Sequence, residues 1–473
     1  MTDRLFDKPA TAVVDLLRAG EISPREVLAD TGSRVESVNP AVNALVTLCF
    51  DRARDRALRL EAKPSAERGV LAGLPMPIKD AYAVEGVRTT IGSLAFADHV
   101  PQHSDYLVEA IEAAGGIVFA KSNTPEFQAG ANTFNEVFGR TLNPWDTSRS
   151  AAGSSGGAAV AVATGMAHIA QGSDNACSVR YPAAFCGVVG LRPSPGLIPK
   201  GPSPLPHQVL SVIGPITRNV ADAGLGLDGM ARFDPRDPRS RPLCDGSYRA
   251  AAEAPRRPRR AAFSMDLGGV ARVSAEVRAV VDNAVARLVA AGLDVAEEAP
   301  DVGRSRDAFL PIRAFQFAAL YRDALAEHRD KLKPEVVWNI EEGLKLTAAD
   351  LAAAEVARAE VRDAMVAFVG RHGVLITPTA PVAPYPVEKR YVDEIDGEKL
   401  ATYIDWLVLG YAITVTGCPA ISIPCGFTAN GLPVGLQLVG APYGEEELLR
   451  TAAWCEQVLD ASLKVPIDPR PPA

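Results

Sequence analysis

The sequence predicts an α/β fold, and three features predict it. Between residues 71 and 128, short apolar runs such as Gly116-Ile117-Val118-Phe119-Ala120 alternate with helical patterns such as residues 106–114, the mark of a sheet covered by helices. Three late runs, Gly373-Val374-Leu375-Ile376, Ala420-Ile421-Ser422-Ile423-Pro424 and Gly435-Leu436-Gln437-Leu438-Val439, read as buried strands returning to that sheet. A chain of 473 residues that is 47% hydrophobic and 22% charged can bury a large core and is not disordered.

Taken in order, the first forty residues give two helices separated by Gly20. The second has Ser23 as its cap, Pro24 at the first helical position and Glu26 three residues after the cap, with Val27, Thr31 and Val35 along one face. The apolar run 158–170 is too short to span a bilayer. Residues 232–258, rich in Pro and Arg, read as an exposed connection whose composition sustains neither a helix nor a central strand. Residues 309–370 read as a helical insert. It closes with a long helix that begins at Thr347 with Asp350 three residues on and ends near Gly370 and Gly373.

Composition also narrows the function. A net charge of −8 without a Lys/Arg stripe argues against nucleic acid or an anionic membrane as partner. The cluster Arg256-Arg257-Pro258-Arg259-Arg260 reads as a solvated linker. Seven cysteines, at 49, 177, 186, 244, 418, 425 and 455, are odd in number and lack paired short spacings. They read as reduced thiols rather than a disulfide framework or zinc site. The N-terminus shows no apolar segment behind its charges, so no signal peptide is expected and a cytoplasmic enzyme is. Neither a metal site nor a phosphate-cradling loop is visible, so no metal or cofactor is expected. The sequence admits a homodimer but identifies no partner chain.

The chemistry is concentrated in three segments: Pro77-Ile78-Lys79-Asp80, Gly153-Ser154-Ser155-Gly156-Gly157, and the stretch from Gly172-Ser173-Asp174 through Asn175-Ala176-Cys177-Ser178 to Arg180. Amide hydrolysis needs a nucleophile, a base for its proton, an acid for the leaving amine and fixed N–H groups for the oxyanion. Ser178 can be the nucleophile, and none of the six histidines lies in a Gly-x-Ser-x-Gly context, so lysine is the base to consider. Lys79 follows the apolar run 74–78, which would deliver its side chain from a strand end into a low-dielectric site that disfavours the ammonium. To work as a base near neutral pH the amine must give up about 4 kcal/mol of preference for the charged form.

Lys79 precedes Ser154 by 75 residues, and Ser154 precedes Ser178 by 24. With these spacings the chain resembles the amidase signature family, which includes fatty acid amide hydrolase, malonamidase and the A subunit of the tRNA-dependent amidotransferase. The likeness continues through Gly73-Leu74-Pro75, Lys121-Ser122-Asn123-Thr124-Pro125-Glu126, Asn143-Pro144-Trp145, the run Phe185 through Pro193, Thr377-Pro378-Thr379-Ala380-Pro381, Cys418-Pro419-Ala420 and Gly431 through Gln437. The resemblance implies one domain over 1–473, with a signature core at about 73–195 and the helical insert at about 309–370, where length alone would suggest about three domains of ~150 residues. It implies a large mixed sheet with helices on both faces and a cofactor-independent amidase. In that reading Ser178 is the nucleophile, Ser154 is a relay on a non-proline cis peptide and Lys79 is the base. The backbone N–H groups of Asn175, Ala176, Cys177 and Ser178 form the oxyanion hole, Ser155 bonds within its loop, and Asp174 and Arg180 form a buried pair holding the nucleophile loop. The implied substrate is a small-molecule amide. A carbamate or ester is the alternative on the same triad, and a role within an amidotransferase would require partner chains.

Two departures from the family pattern bear on activity. Ala176 and Cys177 stand where relatives carry two glycines, adding two Cβ atoms near the scissile carbonyl, and Ala152 replaces the first glycine of the serine loop. A damaged oxyanion hole would leave a non-catalytic binding protein. Cys177 reads as a buried inert thiol rather than a nucleophile, and His168 as a packing or capping residue. Aromatic residues recur as Phe309, Phe315, Phe317, Tyr321, Trp338, Tyr403 and Trp406 and are candidates for either core or pocket wall.

Overall fold

The computed structural model describes residues 4–243, 246–461 and 464–472, so Cys244 lies outside the described residues. The N-terminal helices form as their caps dictate. Ala10–Ala19 stops on Gly20, whose φ of 73° is left-handed, and Pro24–Val42 opens on a complete capping box. There the Glu26 N–H donates to Ser23 Oγ at 3.2 Å and the Ser23 N–H donates to the Glu26 carboxylate at 2.7 Å. Val27, Thr31 and Val35 are buried along one face.

Strands β1 (Leu45–Leu48), β2 (Pro75–Lys79) and β3 (Ile117–Ser122) form a three-stranded sheet with β3 in the middle, antiparallel to β1 and parallel to β2. Pro75 and Pro77 have no N–H to give a further neighbour, which suits β2 to the edge. The main sheet has eight strands among the described residues: β4 (Ile169–Asp174), β5 (Val189–Arg192), β6 (Val212–Thr217), β7 (Ala261–Phe263), β8 (Val295–Glu297), β9 (Leu375–Pro378), β10 (Ala420–Phe427) and β11 (Pro433–Val439). Their spatial order is β8-β7-β9-β11-β10-β5-β6-β4. The β8-β7 and β7-β9 pairs are parallel and the rest antiparallel, so the sheet is mixed. The alternation at 71–128 therefore builds a small sheet of its own beside the large one. The two edges meet where the side chain of Gln171 on β4 accepts the Lys79 N–H at 2.9 Å, standing in for the missing backbone ladder.

Helices cover both faces of the main sheet. Gly156–Ala163 and Arg180–Cys186 pack together on one side, and Val220–Met230, Ala275–Ala290 and Glu445–Leu459 form the layer on the other. Gly156–Ala163 is buried all round, as its Gly-Ala-Val composition requires. A Cβ on Gly157 would lie 2.4 Å from the Asn123 nitrogen and 2.5 Å from the Ala44 oxygen, so this glycine permits close approach of backbone. The region expected to be a helical insert holds three helices, Ser305–His328, Pro334–Lys345 and Ala348–His372. The last opens on the Thr347/Asp350 capping box and ends at Gly373, while Gly370 lies inside it.

The expectation for 232–258 needs correction. It contains the short helix Tyr248–Ala252, capped by Ser247, and its turns hang on buried Asp234 and Asp237, which hold Arg236 at 2.7 Å and Arg239 at 2.8 Å. The helix is stabilised from outside the segment: Asp228 accepts the N–H groups of Tyr248 and Arg249 at 2.7 and 3.1 Å.

Gln171→Leu should leave the buried Lys79 N–H without an acceptor, a loss of about 1–3 kcal/mol. A urea midpoint unchanged from the parent protein would show that the seam between the two sheets does not rest on this amide.

Candidate active site

Lys79 ends β2 with its side chain fully buried. Its Nζ sits 2.6 Å from Ser154 Oγ, 3.0 Å from Ser155 Oγ and 3.1 Å from Ser173 Oγ. Burial pushes the ammonium well below the usual lysine range, against the opposing attraction of the Asp174 carboxylate. Two of the three hydroxyls have committed their protons elsewhere. Ser155 donates to the Ser173 carbonyl at 3.3 Å, and Ser173 donates to Gln128 Oε1 at 2.7 Å. Both can therefore only accept from the amine. Ser154 has no other acceptor among the described residues, so its proton is the one free to point at the nitrogen lone pair. The Gly153-Ser154 peptide is cis.

Ser178 lies on the loop between β4 and the helix Arg180–Cys186, and its carbonyl accepts the Ser155 N–H at 3.1 Å, joining the two serine loops. Beneath the loop, the fully buried Asp174 carboxylate receives Arg180 Nε at 3.0 Å and Nη2 at 2.9 Å, and Arg192 Nη1 at 3.1 Å. Burial alone would raise this carboxyl, but the Arg180 guanidinium, with Arg192 beside it, holds it well below the usual carboxylate range. Burial lowers Arg192 to about 10. Arg180 also donates to the Ala176 carbonyl at 2.8 Å, the Gly410 carbonyl at 3.1 Å and Gln437 Oε1 at 2.5 Å. Among the described residues, the N–H groups of Asn175, Ala176, Cys177 and Ser178 have no protein acceptor.

Ser154, Asn175, Ala176 and Ser178 open on a cavity of about 560 Å³, in the size range of small-molecule sites. Cys177 does not line it. Its Cβ faces Gly410, where a further Cβ would come within 2.5 Å, and burial pushes the thiol well above its ordinary range. Of the two residues that stand in for glycines, only Ala176 thus lines the cavity, and neither has left-handed φ. Ala152, by contrast, keeps a glycine-like φ of 54°. Left-handed backbone recurs at Phe127 (45°), Gln128 (61°) and Ala131 (57°), all on the cavity wall.

The aromatic residues divide. Phe317 and Tyr321 line the cavity, Phe309 stacks on Tyr411 at 4.7 Å, Trp406 packs on Tyr181 at 5.3 Å, and Trp338 meets Tyr403 edge-on at 5.7 Å. Phe315 is exposed. His168 bonds the Leu5 carbonyl at 3.0 Å, tying the N-terminal segment down. Ser173, Gln128 and Arg192 are additions that the motif did not single out. Period-two alternation along β4 could have paired Ser173 with Gln171 on the Lys79 side, opposite Asp174.

The family model for amidases matches residues 26–449, most of the chain. The chain belongs to the amidase family. It is an amide hydrolase of the amidase signature type, and its likeness to known members runs end to end. This amidase is 37% identical over 467 residues to an acylamidase of Rhodococcus erythropolis, covering 97% of both chains. It is 35% identical to the A chain of the glutamyl-tRNA(Gln) amidotransferase of Moorella thermoacetica, across 96% of this chain and 97% of that one. Among solved structures it is similar to a bacterial aryl acylamidase of the amidase signature enzymes, with a TM-score of 0.88 and 27% identity over 97% of this chain and 99% of that one.

Replacing Asp174 by Asn would strand two buried guanidiniums. The expected loss is about 3–5 kcal/mol of folding free energy, visible as a lowered urea midpoint or loss of soluble protein. A loss below about 1 kcal/mol would mean that the arginines find other partners.

Proposed function

We propose that this amidase cleaves small carboxamides through an acyl-enzyme on Ser178, with Ser154 as proton relay and Lys79 as base and then acid. The observation that carries the reading is the hydroxyl inventory at Lys79 Nζ. Of three serines in contact, only Ser154 has a proton free for the amine, and it opens on the same cavity as Ser178.

In the first step the Ser178 oxygen bonds to the carbonyl carbon while its proton passes to Ser154, which gives its own to Lys79. The oxyanion that forms is met by the uncommitted N–H groups of Asn175, Ala176, Cys177 and Ser178. Asp174 and Arg180 fix the loop that carries those donors, and Ser155 holds it to the relay loop. The Lys79 ammonium then returns its proton through Ser154 to the leaving nitrogen, the C–N bond breaks, and water repeats the sequence on the acyl group. Likeness to an acylamidase and an aryl acylamidase, together with the Phe317 and Tyr321 wall, supports acylated amines, aryl amines included, as the substrate class. The unpaired cysteines among the described residues support a reducing, cytoplasmic setting.

A second reading, the glutaminase component of an amidotransferase, is favoured by the 35% identity to a chain of such an enzyme. Turnover of anilides by the isolated chain supports the first reading, whereas glutamine hydrolysis that appears only with added partner chains supports the second. A panel of anilides, primary amides, carbamates and esters separates carboxamide preference from the other acyl transfers.

Ser178→Ala should abolish turnover and labelling by a fluorophosphonate. Label at another residue, or undiminished turnover, defeats the assignment. Lys79→Ala should lower kcat by roughly 10²–10⁴-fold. Because the neutral amine is the active form and its pKa is lowered, the rate of the parent enzyme should rise with pH through that depressed value and then level off. A rate that is flat with pH while chemistry limits turnover removes Lys79 as base. Ala176→Gly should widen the range of acyl groups accepted, while Cys177→Gly, which empties the contact with Gly410, should mainly lower the urea midpoint. The reverse pattern would put Cys177 on the substrate side.

A further inference from the structure

One face of the helix Ser305–His328 lines the cavity at helical spacing, from Arg313 and Gln316 at its buried end to Phe317, Leu320 and Tyr321. Exposure rises along that face, from 5% at Arg313 to 38% at Leu320, so the polar end is the deep one. It adjoins the nucleophile loop, because Gln316 Oε1 accepts from Asn175 Nδ2 at 3.2 Å.

Polar groups at this deep end are left over. Among the described residues no carboxylate pairs with Arg313. Glu335, on a helix packed against this one, is taken by Arg390 at 2.6 Å, and Asp405 by Arg306 at 3.2 Å. Arg313 Nη2 donates to the Tyr403 hydroxyl at 3.1 Å, itself bonded by Asn339, and the guanidinium carbon lies 4.6 Å over the Phe317 ring. Its Nε has no acceptor, Gln316 Nε2 has none, and Asn175 Oδ1 has no donor. Exchanging nitrogen and oxygen in both amides leaves the same inventory, one NH₂ and one carbonyl unpaired. Buried charges are paired as a rule, although single unpartnered nitrogens such as Arg192 Nε and Arg218 Nε recur elsewhere among the described residues. The unpaired atoms at this corner are themselves shut off from water, but Arg313 lines the cavity with no carboxylate partner among the described residues, and a charge so placed calls for an anionic group brought by the ligand.

We propose that this corner is a carboxylate subsite, so that the amidase acts on acyl–nitrogen substrates carrying an acidic group. The planar guanidinium fork suits two carboxylate oxygens, and Gln316 is its polar neighbour on the same cavity wall. The proposal rests on Ser178 as nucleophile for placing the acid close to the scissile carbonyl, since Asn175 and Ser178 share one loop. The subsite itself would bind an acid whatever the chemistry.

Two pairs of amides test it. Glutaryl 4-nitroanilide against pentanoyl 4-nitroanilide exchanges carboxylate for methyl on the acyl side, and N-acetyl-4-aminobenzoate against N-acetyl-4-toluidine does so on the amine side. In one pair the acid should have a kcat/KM about 10-fold or more above its neutral partner. That ratio should fall towards one in Arg313→Met and be intermediate in Arg313→Lys. Calorimetry on Ser178→Ala with the same amides reads binding without turnover. Preferential binding of the acid there, with no turnover of the four amides by the parent protein, upholds the subsite and counts against the proposed hydrolysis of this substrate class. If Arg313→Met does not fold, Gln316→Leu should narrow the ratio instead. Equal kcat/KM and equal affinity for acid and neutral members of both pairs, or a preference untouched by these substitutions, overturns the proposal.

Discussion

The site depends on one buried carboxylate. Asp174 ends the edge strand of the main sheet and is shared by Arg180, from the helix after Ser178, and Arg192, from β5. Through the arginines it reaches the Ala176 and Gly410 carbonyls, Gln437 on β11 and the Leu210 carbonyl. A loop that must present backbone N–H groups to a cavity cannot fold them into a ladder, so its shape has to be imposed from below. The ionic cluster imposes it. With one negative and two positive formal charges, the cluster also limits how far Asp174 can act as a counter-ion to Lys79. Burial can then keep the amine neutral.

Much of this was legible in the sequence for a local reason. Capping boxes at Ser23 and Thr347, the strand ahead of Lys79 and the serine loops are written in contiguous residues, and the spacing of Lys79, Ser154 and Ser178 carries their convergence through the resemblance. What stayed hidden depends on contacts between distant segments. Gln128 reaches Ser173 across 45 residues, and Gln171 spans 92 to the Lys79 backbone. Nothing in the composition of 232–258 foretells a helix whose first turn is held by Asp228. The prolines of β2 did carry an unread signal, because two residues without N–H donors mark a sheet edge.

The substitutions at 176 and 177 look alike in sequence and differ in space. Ala176 lines the cavity, whereas the Cys177 Cβ packs against Gly410. The donors proposed for the oxyanion are backbone groups, and neither residue adopts left-handed φ. The family glycines are therefore not required here by backbone conformation.

The proposed chemistry and the proposed selectivity occupy separate pieces of the chain. Lys79, Ser154 and Ser178 sit on the sheets and their loops, whereas the helix Ser305–His328 presents a row of side chains to the cavity from outside that framework. Mutational drift along this one face can exchange one group of accepted compounds for another while leaving proton transfer intact. The helix gives this lineage a route to new substrates that need not pass through an inactive ancestor.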